Sequence, residues 1–190
     1  TGDYWCPTPQ PVKSQAEVKV THAFGWSGFQ TEVNSIESEL VLSGSLDEQV
    51  KWWQVEVRNK DSKRRQLEVF LYFEWVLGVA RHETFRHIRT GYDVEKQMVY
   101  ATNPFNIDFS EQVVFLGSNQ QVHSYTTNRR EFLGRLRSTS EPLAFEQVNL
   151  LNALGQKFVG NRSSAVVLSG TTGGGLDSCA VLKVQIELGP

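Results

Sequence analysis

Apolar and polar side chains alternate with a period of two through most of this chain, most densely in the stretch Glu48–Gly78. In its first arm Trp53, Val55 and Val57 alternate with Gln54, Glu56 and Arg58, the spacing that sends successive side chains to opposite faces of a strand. Asn59–Arg65 is a polar turn whose Asn, Asp and Ser bond locally to the backbone and tolerate turn dihedrals. In the second arm Leu67, Val69, Leu71, Phe73, Trp75 and Leu77 share one face, and the other face passes from Gln66 and Glu68 to Phe70, Tyr72 and Val76. A strand apolar on both faces is covered twice. The expectation is a long hairpin whose second arm is central to its sheet.

Shorter alternating runs predict strands at Glu17–Ala23, Phe29–Val33, Ile36–Leu42, Met98–Thr102, Gln112–Leu116, Val122–Thr126, Ala165–Leu168 and Val181–Leu188. Gly25-Trp26-Ser27-Gly28 reads as a turn, and the charged run from Val79 to Gln97 as a long irregular connection. Ser140-Glu141-Pro142 is a helix-start signal, with Ser as cap and Pro in the first turn, and predicts one short helix from Glu141 to about Leu154. Many short strands and at most one helix make an all-β antiparallel β-sandwich. No repeat or linker divides the sequence, so residues 1–190 are read as a single domain, its abrupt ends suggesting a fragment of a larger multidomain enzyme.

Composition narrows the function classes. The formal net charge of -2 argues against nucleic acid, whose phosphates need a basic surface. Five Trp and eleven Phe are many for this length and suit both sheet packing and sugar stacking. Cys6 and Cys179 do not form a metal-ligand spacing; two thiols suggest a reducing compartment, with one disulfide as the open alternative. The start lacks a signal-peptide pattern, and no apolar run approaches the ~20 residues needed to span a bilayer. The expected location is cytoplasmic.

The motifs that suggest chemistry have plainer readings. His82-Glu83-Thr84-Phe85-Arg86-His87 places its second His five residues on, off the face a zinc-protease helix needs, so a surface loop and no metal is the expectation. Ser169–Gly175 lacks the Lys-Ser/Thr of a phosphate-binding loop and reads as a flexible turn with glycines at positive φ. Asn161-Arg162-Ser163 fits a glycosylation acceptor, a pattern common by chance. In Thr126–Arg135, three arginines and a glutamate surround Phe132 and Leu133. The residues allow an ion-pair corner or an oligosaccharide and phosphate contact, with the structural role first. No carboxylate couple stands out for glycoside chemistry.

Five stretches together resemble one family: Tyr4–Pro9, Glu74–Gly78, Ala101–Asn106, Asn128–Arg135 and Gly173–Ala180. Their order and spacing are similar to the N-terminal β-sandwich of the inverting glycoside phosphorylases, the cellobiose and chitobiose phosphorylases, and to the phosphorylase-like region of cyclic β-1,2-glucan synthase. Two departures stand out. Thr126-Thr127-Asn128-Arg129 replaces the family's Thr-Gly-Asp-Arg, and Asp177-Ser178-Cys179 replaces its Asp-Pro-Cys. The resemblance implies a galactose-mutarotase-like supersandwich and a parent that cleaves or forms β-glucosidic bonds through a sugar 1-phosphate. Inorganic phosphate is then the parent's co-substrate, and no cofactor is needed. The general acid and the phosphate site would lie in an α/α barrel after the sandwich, leaving no catalytic residue here. Expected partners are a β-glucan or β-gluco-oligosaccharide, that barrel and a second copy of the chain. The parent is either a soluble phosphorylase or an inner-membrane synthase with this domain on the cytoplasmic side. Candidate substrate-binding residues are Asn103, Phe105 and Asn106 in one loop and Asn128, Arg129, Glu131 and Arg135 in another, with Trp26 as a further stacking face. A stand-alone carbohydrate-binding module or a dimerisation domain is the alternative.

Overall fold

The computed structural model describes residues 3–146 and 166–190. The chain forms two compact units, Thr1–Leu67 with Glu187–Pro190 and Glu68–Ile186.

The first unit holds a four-stranded antiparallel meander, β1 (Val18–Ala23), β2 (Trp26–Val33), β3 (Ile36–Gly44) and β4 (Lys51–Asn59), hydrogen-bonded in that order. Two-residue turns make its first two connections. Gly25 takes φ +82° in one; Asn34 and Ser35 take +52° and +62° in the other, the left-handed pair that suits the twist of flanking strands. Register places Val20, Phe29, Leu40 and Val55 side by side on one face and Lys19, Gln30, Glu39 and Glu56 on the other. Alternation in sequence has thus become one apolar and one polar face. The turn expected at Gly25–Gly28 needs correction, because Phe24 and Gly25 suffice to reverse the chain and Trp26–Gly28 already belong to β2.

The other elements are β5 (Arg65–Glu74), α1 (Arg81–Thr84), β6 (Arg89–Asp93), β7 (Met98–Thr102), β8 (Val113–Leu116), β9 (Val122–Asn128), α2 (Arg129–Phe132), β10 (Gly173–Gly174) and β11 (Ser178–Leu188). Apart from one end each of β5 and β11, they make up the second unit. They form two sheets, β10-β6-β7-β8 and β5-β11-β9. Strand β11 separates two cores. Its Cys179 and Val181 pack with Phe132, Leu133 and Leu168, joined by Phe70 and Tyr72 from β5. Its Ala180 and Leu182 pack with Val99, joined by Leu71 from β5, by Trp75 just after it and by Tyr92 and Leu116. The double covering read from β5's two apolar faces is therefore present.

The expected hairpin is not. Strand β4 pairs with β3, whereas β5 lies in the sheet of β11 and β9, at its edge rather than its centre among the described residues. Side-chain periodicity reports which faces are covered and says nothing of which strand supplies hydrogen bonds. The polar turn instead fixes the exit from β4: Asn59 Nδ2 donates to the Lys63 carbonyl at 2.8 Å, and Arg65 pairs with Asp61 at 2.7 Å. The sandwich class stands, but helices exceed the one expected. Both α1 and α2 are single turns, and residues 143–146 are helical as well. The rest of the helix predicted to about Leu154, and Asn161–Ser163, lie outside the described residues. Val166–Leu168 are not a strand, and the charged connection after Gly78 contains α1 and β6.

Candidate functional site

The second-unit end of β5 anchors both loops that carry the candidate residues. Asn103 is 5% exposed, and its Nδ2 donates to the Leu77 carbonyl at 2.9 Å. Asn106 Nδ2 reaches the same carbonyl at 3.3 Å. Their Oδ1 atoms turn inward too, accepting from the amides of Phe105 at 3.1 Å and of Asp108 and Phe109 at 3.0 and 3.1 Å. These are Asx turns, in which a short amide side chain replaces a backbone partner. Of this loop's candidates only Phe105 shows a large exposed surface, 65%, with the His87 ring 4.5 Å away between centroids.

Asn128 caps α2, its Oδ1 accepting from Arg130 N at 3.1 Å. This is the role an aspartate at that position could also fill. Buried Phe132 and Leu133 anchor the turn, and Gly134 at φ +90° ends it. Arg129 N donates to the Asp177 carbonyl at 2.8 Å. The guanidinium sits 2.8 Å from Glu74 Oε1 through Nε and 3.7 Å from Asp177 Oδ2 through Nη1. Arg81 completes the arrangement: its Nη2 is 2.6 Å from Asp177 Oδ1 and its Nε 2.9 Å from Glu74 Oε2. Two guanidiniums and two carboxylates thus alternate in a closed, neutral quartet.

Its electrostatics follow from that closure. Burial pushes the Glu74 carboxyl up, but the Tyr72 hydroxyl donating at 2.5 Å and the two guanidiniums outweigh it, holding Glu74 below the ordinary carboxylate range. Burial, reinforced by Glu74, raises the Tyr72 phenol far above its usual value. Burial, then Glu74 and Asp177, does the same to the Cys179 thiol, which stays protonated. Cys6 and Cys179 are both free thiols. Glu74 is an ionised anion at neutral pH, with no proton to give as a general acid.

Glu131 is likewise engaged. It accepts from Thr126 Oγ1 at 2.5 Å and from the amide and hydroxyl of Ser169, each at 2.7 Å. The glycine-rich turn is fastened further by Thr127 N donating to the Thr171 carbonyl at 2.9 Å and Gly173 N donating to Thr90 Oγ1 at 3.0 Å. Gly170, Gly173 and Gly175 all take positive φ there. Arg135 is exposed and forms no ion pair among the described residues. His82, Glu83 and His87 gather no ligand set, and no group of three or more His, Cys, Asp or Glu able to hold a metal occurs among the described residues. Nor, among those residues, is any helix long and apolar enough to cross a membrane.

All 190 residues match the family model described as glycosyl hydrolase 94, supersandwich domain. The chain belongs to that family. Three curated relatives of the supersandwich domain extend the match. The chain is 29% identical over 176 residues to cyclic beta-(1,2)-glucan synthase NdvB of Rhizobium meliloti (strain 1021), covering 93% of this chain and 6% of that protein. It is 27% identical to N,N'-diacetylchitobiose phosphorylase of Vibrio proteolyticus, covering 80% of this chain and 20% of the relative. Solabiose phosphorylase of Paenibacillus borealis is 25% identical, covering 75% and 19%. The supersandwich domain therefore spans a fifth or less of the length of each.

Within the domain, three of the five stretches that carry the resemblance converge: Glu74–Gly78, Asn128–Arg135 and Gly173–Ala180 supply Glu74, Arg129 and Asp177. The fourth, Ala101–Asn106, hangs on Leu77. Arg81 is not legible in the sequence because one of its two carboxylate partners, Asp177, lies 96 residues along the chain.

Proposed function

We propose that this domain is the non-catalytic carbohydrate-side scaffold of a larger enzyme that makes or breaks β-glucosidic bonds. The parent is a glycoside phosphorylase or a cyclic β-1,2-glucan synthase, using inorganic phosphate or a sugar 1-phosphate as co-substrate. The observation that carries this reading is the family match over the whole chain, which occupies only 6–20% of relatives named as such enzymes. The chemistry of the corner agrees: Glu74, Asp177 and Glu131 are held by internal donors, an arrangement suited to shaping loops rather than transferring protons. Phe105 and Arg135, which stand outside the fastened network, are the side chains offered to the rest of the parent or to its glucan.

The same reading includes a second copy of the chain as partner. Among the described residues strand β8 closes one end of its sheet with no further neighbour and exposes Val113 and Phe115, and an edge of that kind invites another strand. It also places the parent in the cytoplasm or at the inner membrane with this domain on the cytoplasmic side.

The test is phosphorolysis. The chain with inorganic phosphate and linear β-1,2-glucan or cellobiose should release no glucose 1-phosphate, while the full parent should do so with one of them or run the synthesis. Sugar phosphate released by the chain alone, or a parent inert toward every β-glucoside, would overturn the proposal.

A further inference from the structure

The polar face of the β1–β4 sheet ends in a row of exposed tryptophans. Register pairs Trp26 with Ser43 and Ser43 with Trp52, so both indoles stand on one face with a single strand between them. Two strand spacings put their backbones roughly 9–10 Å apart. Trp26 is 40% exposed and Trp52 58%. The Trp26 ring lies down along its own strand: a β-carbon on Gly28 would sit 2.9 Å from Cζ3 and 3.7 Å from Cε3. Glycine at 28 leaves room for that ring to lie flat.

Hydrogen-bonding groups border the row. Ser43 lies between the indoles, and Thr21 and Gln54 occupy the next row on the same face. Further along, Gln30, Glu37, Glu39, Glu56 and Arg58 line a shallow polar depression. Its carboxylates argue against a polyanion as ligand. An indole face is electron-rich and favours the polarised C–H face of a pyranose, while hydroxyl and amide side chains meet the ring hydroxyls at its rim. Exposed indoles bordered by neutral hydrogen-bonding groups fit a neutral polyhydroxylated chain.

We infer that this face is a glucan-holding surface, with a β-linked glucan chain lying across Trp26 and Trp52, built by the first unit where the loops at Asn103 and Arg129 belong to the second. The choice of a β-glucan rests on the family reading above; the platform itself rests on the register and exposure of the two indoles. Such a surface would keep a growing or shortening chain near the enzyme between reaction cycles.

The experiment is a calorimetric and tryptophan-fluorescence titration of the chain with linear β-1,2-, β-1,4- and β-1,3-gluco-oligosaccharides. Saturable binding to at least one is expected, weakened about tenfold by Trp26→Ala and again by Trp52→Ala. Gly28→Val, which keeps both indoles but lifts the Trp26 ring, should weaken it too. Trp53→Phe, on the opposite face, should not. Circular dichroism of each variant establishes that the sheet has folded. The proposal is overturned if the folded chain binds none of the glucans, if Trp26→Ala and Trp52→Ala bind as tightly as the unaltered chain, or if a non-glucan is preferred. A parent active in phosphorolysis whose chain binds no glucan would sink this inference alone; binding without any activity in the parent would sink the functional reading alone.

Discussion

The corner at the end of β5 and the tryptophan row on the first sheet use their conspicuous side chains in opposite ways. At the corner Glu74, Arg81, Arg129 and Asp177 satisfy one another, and Asn103, Asn106 and Glu131 satisfy backbone groups nearby. On the sheet, Trp26 and Trp52 remain open to solvent. The stretches that identify the family build the closed corner; the open surface draws on residues outside them. A recurrent polar motif can therefore mark a joint that sets loop geometry, while binding surface is built from register.

The sharpest way to break this contrast is to remove one member of each region. Arg129→Ala leaves Glu74 and Asp177, 30% and 18% exposed, short of a cation. The expected loss is about 2–3 kcal/mol of unfolding free energy, below the roughly 3–5 kcal/mol of a fully buried pair because solvent still reaches the site. Trp52→Ala removes an exposed ring and should change stability by no more than about 0.5 kcal/mol. Urea unfolding of both variants measures the difference. Equal costs would mean that the quartet is not a structural joint.

Acid sharpens the same contrast. Glu74 has a folded pKa below its unfolded value, so its contribution is fully present above the unfolded pKa of about 4.3 and is lost as pH falls through the folded one. Stability should therefore decline below about pH 4.5, and the decline should be shallower in Arg129→Ala, where one source of the depression is gone. Glu37 and Asp61 are also lowered, by the side-chain bonds to Lys60 and Arg65 respectively, but both variant and parent chain keep them. Thermal midpoints of the two proteins from pH 7 to 3 isolate Glu74. Parallel curves would remove it from the account.

How far the sequence could be read depended on whether the deciding interaction was local. Strand β7 matches its predicted bounds, Met98–Thr102, because Gln97 at φ +51° and the Asx turn at Asn103 punctuate it from both sides. The faces of β5 follow from alternation, and the arginines and glutamate of Thr126–Arg135 point to an ion-pair corner. The hydrogen-bond partners of β4 and β5 do not follow from it, since both strands carry side chains that any neighbour could accept. Arg81 was hidden inside a charged run, its role set by Asp177 far along the chain. By local pattern Trp26 falls in a turn, and Trp52 joins it only when three strands are in register.

An effect of opposite sign to the loss at Arg129 lies beside the corner. Ser178 stands where the family pattern has proline; it is fully buried, and its hydroxyl finds no partner among the described residues. Its carbonyl, by contrast, accepts from Arg81 Nη2 at 3.2 Å, which any residue at this position supplies. An unpaired buried hydroxyl carries its full desolvation cost, so replacing it by a methyl should stabilise the chain even after the loss of one oxygen's packing. Ser178→Ala is expected to add up to about 1 kcal/mol, read as a rise of roughly 2–4 °C in Tm for a chain of this size. Because the quartet's own contacts are untouched, the acid profile should shift upward without changing shape. A lower Tm would mean that the hydroxyl is hydrogen-bonded, and the polar closure at the end of β5 would then extend one residue further into β11.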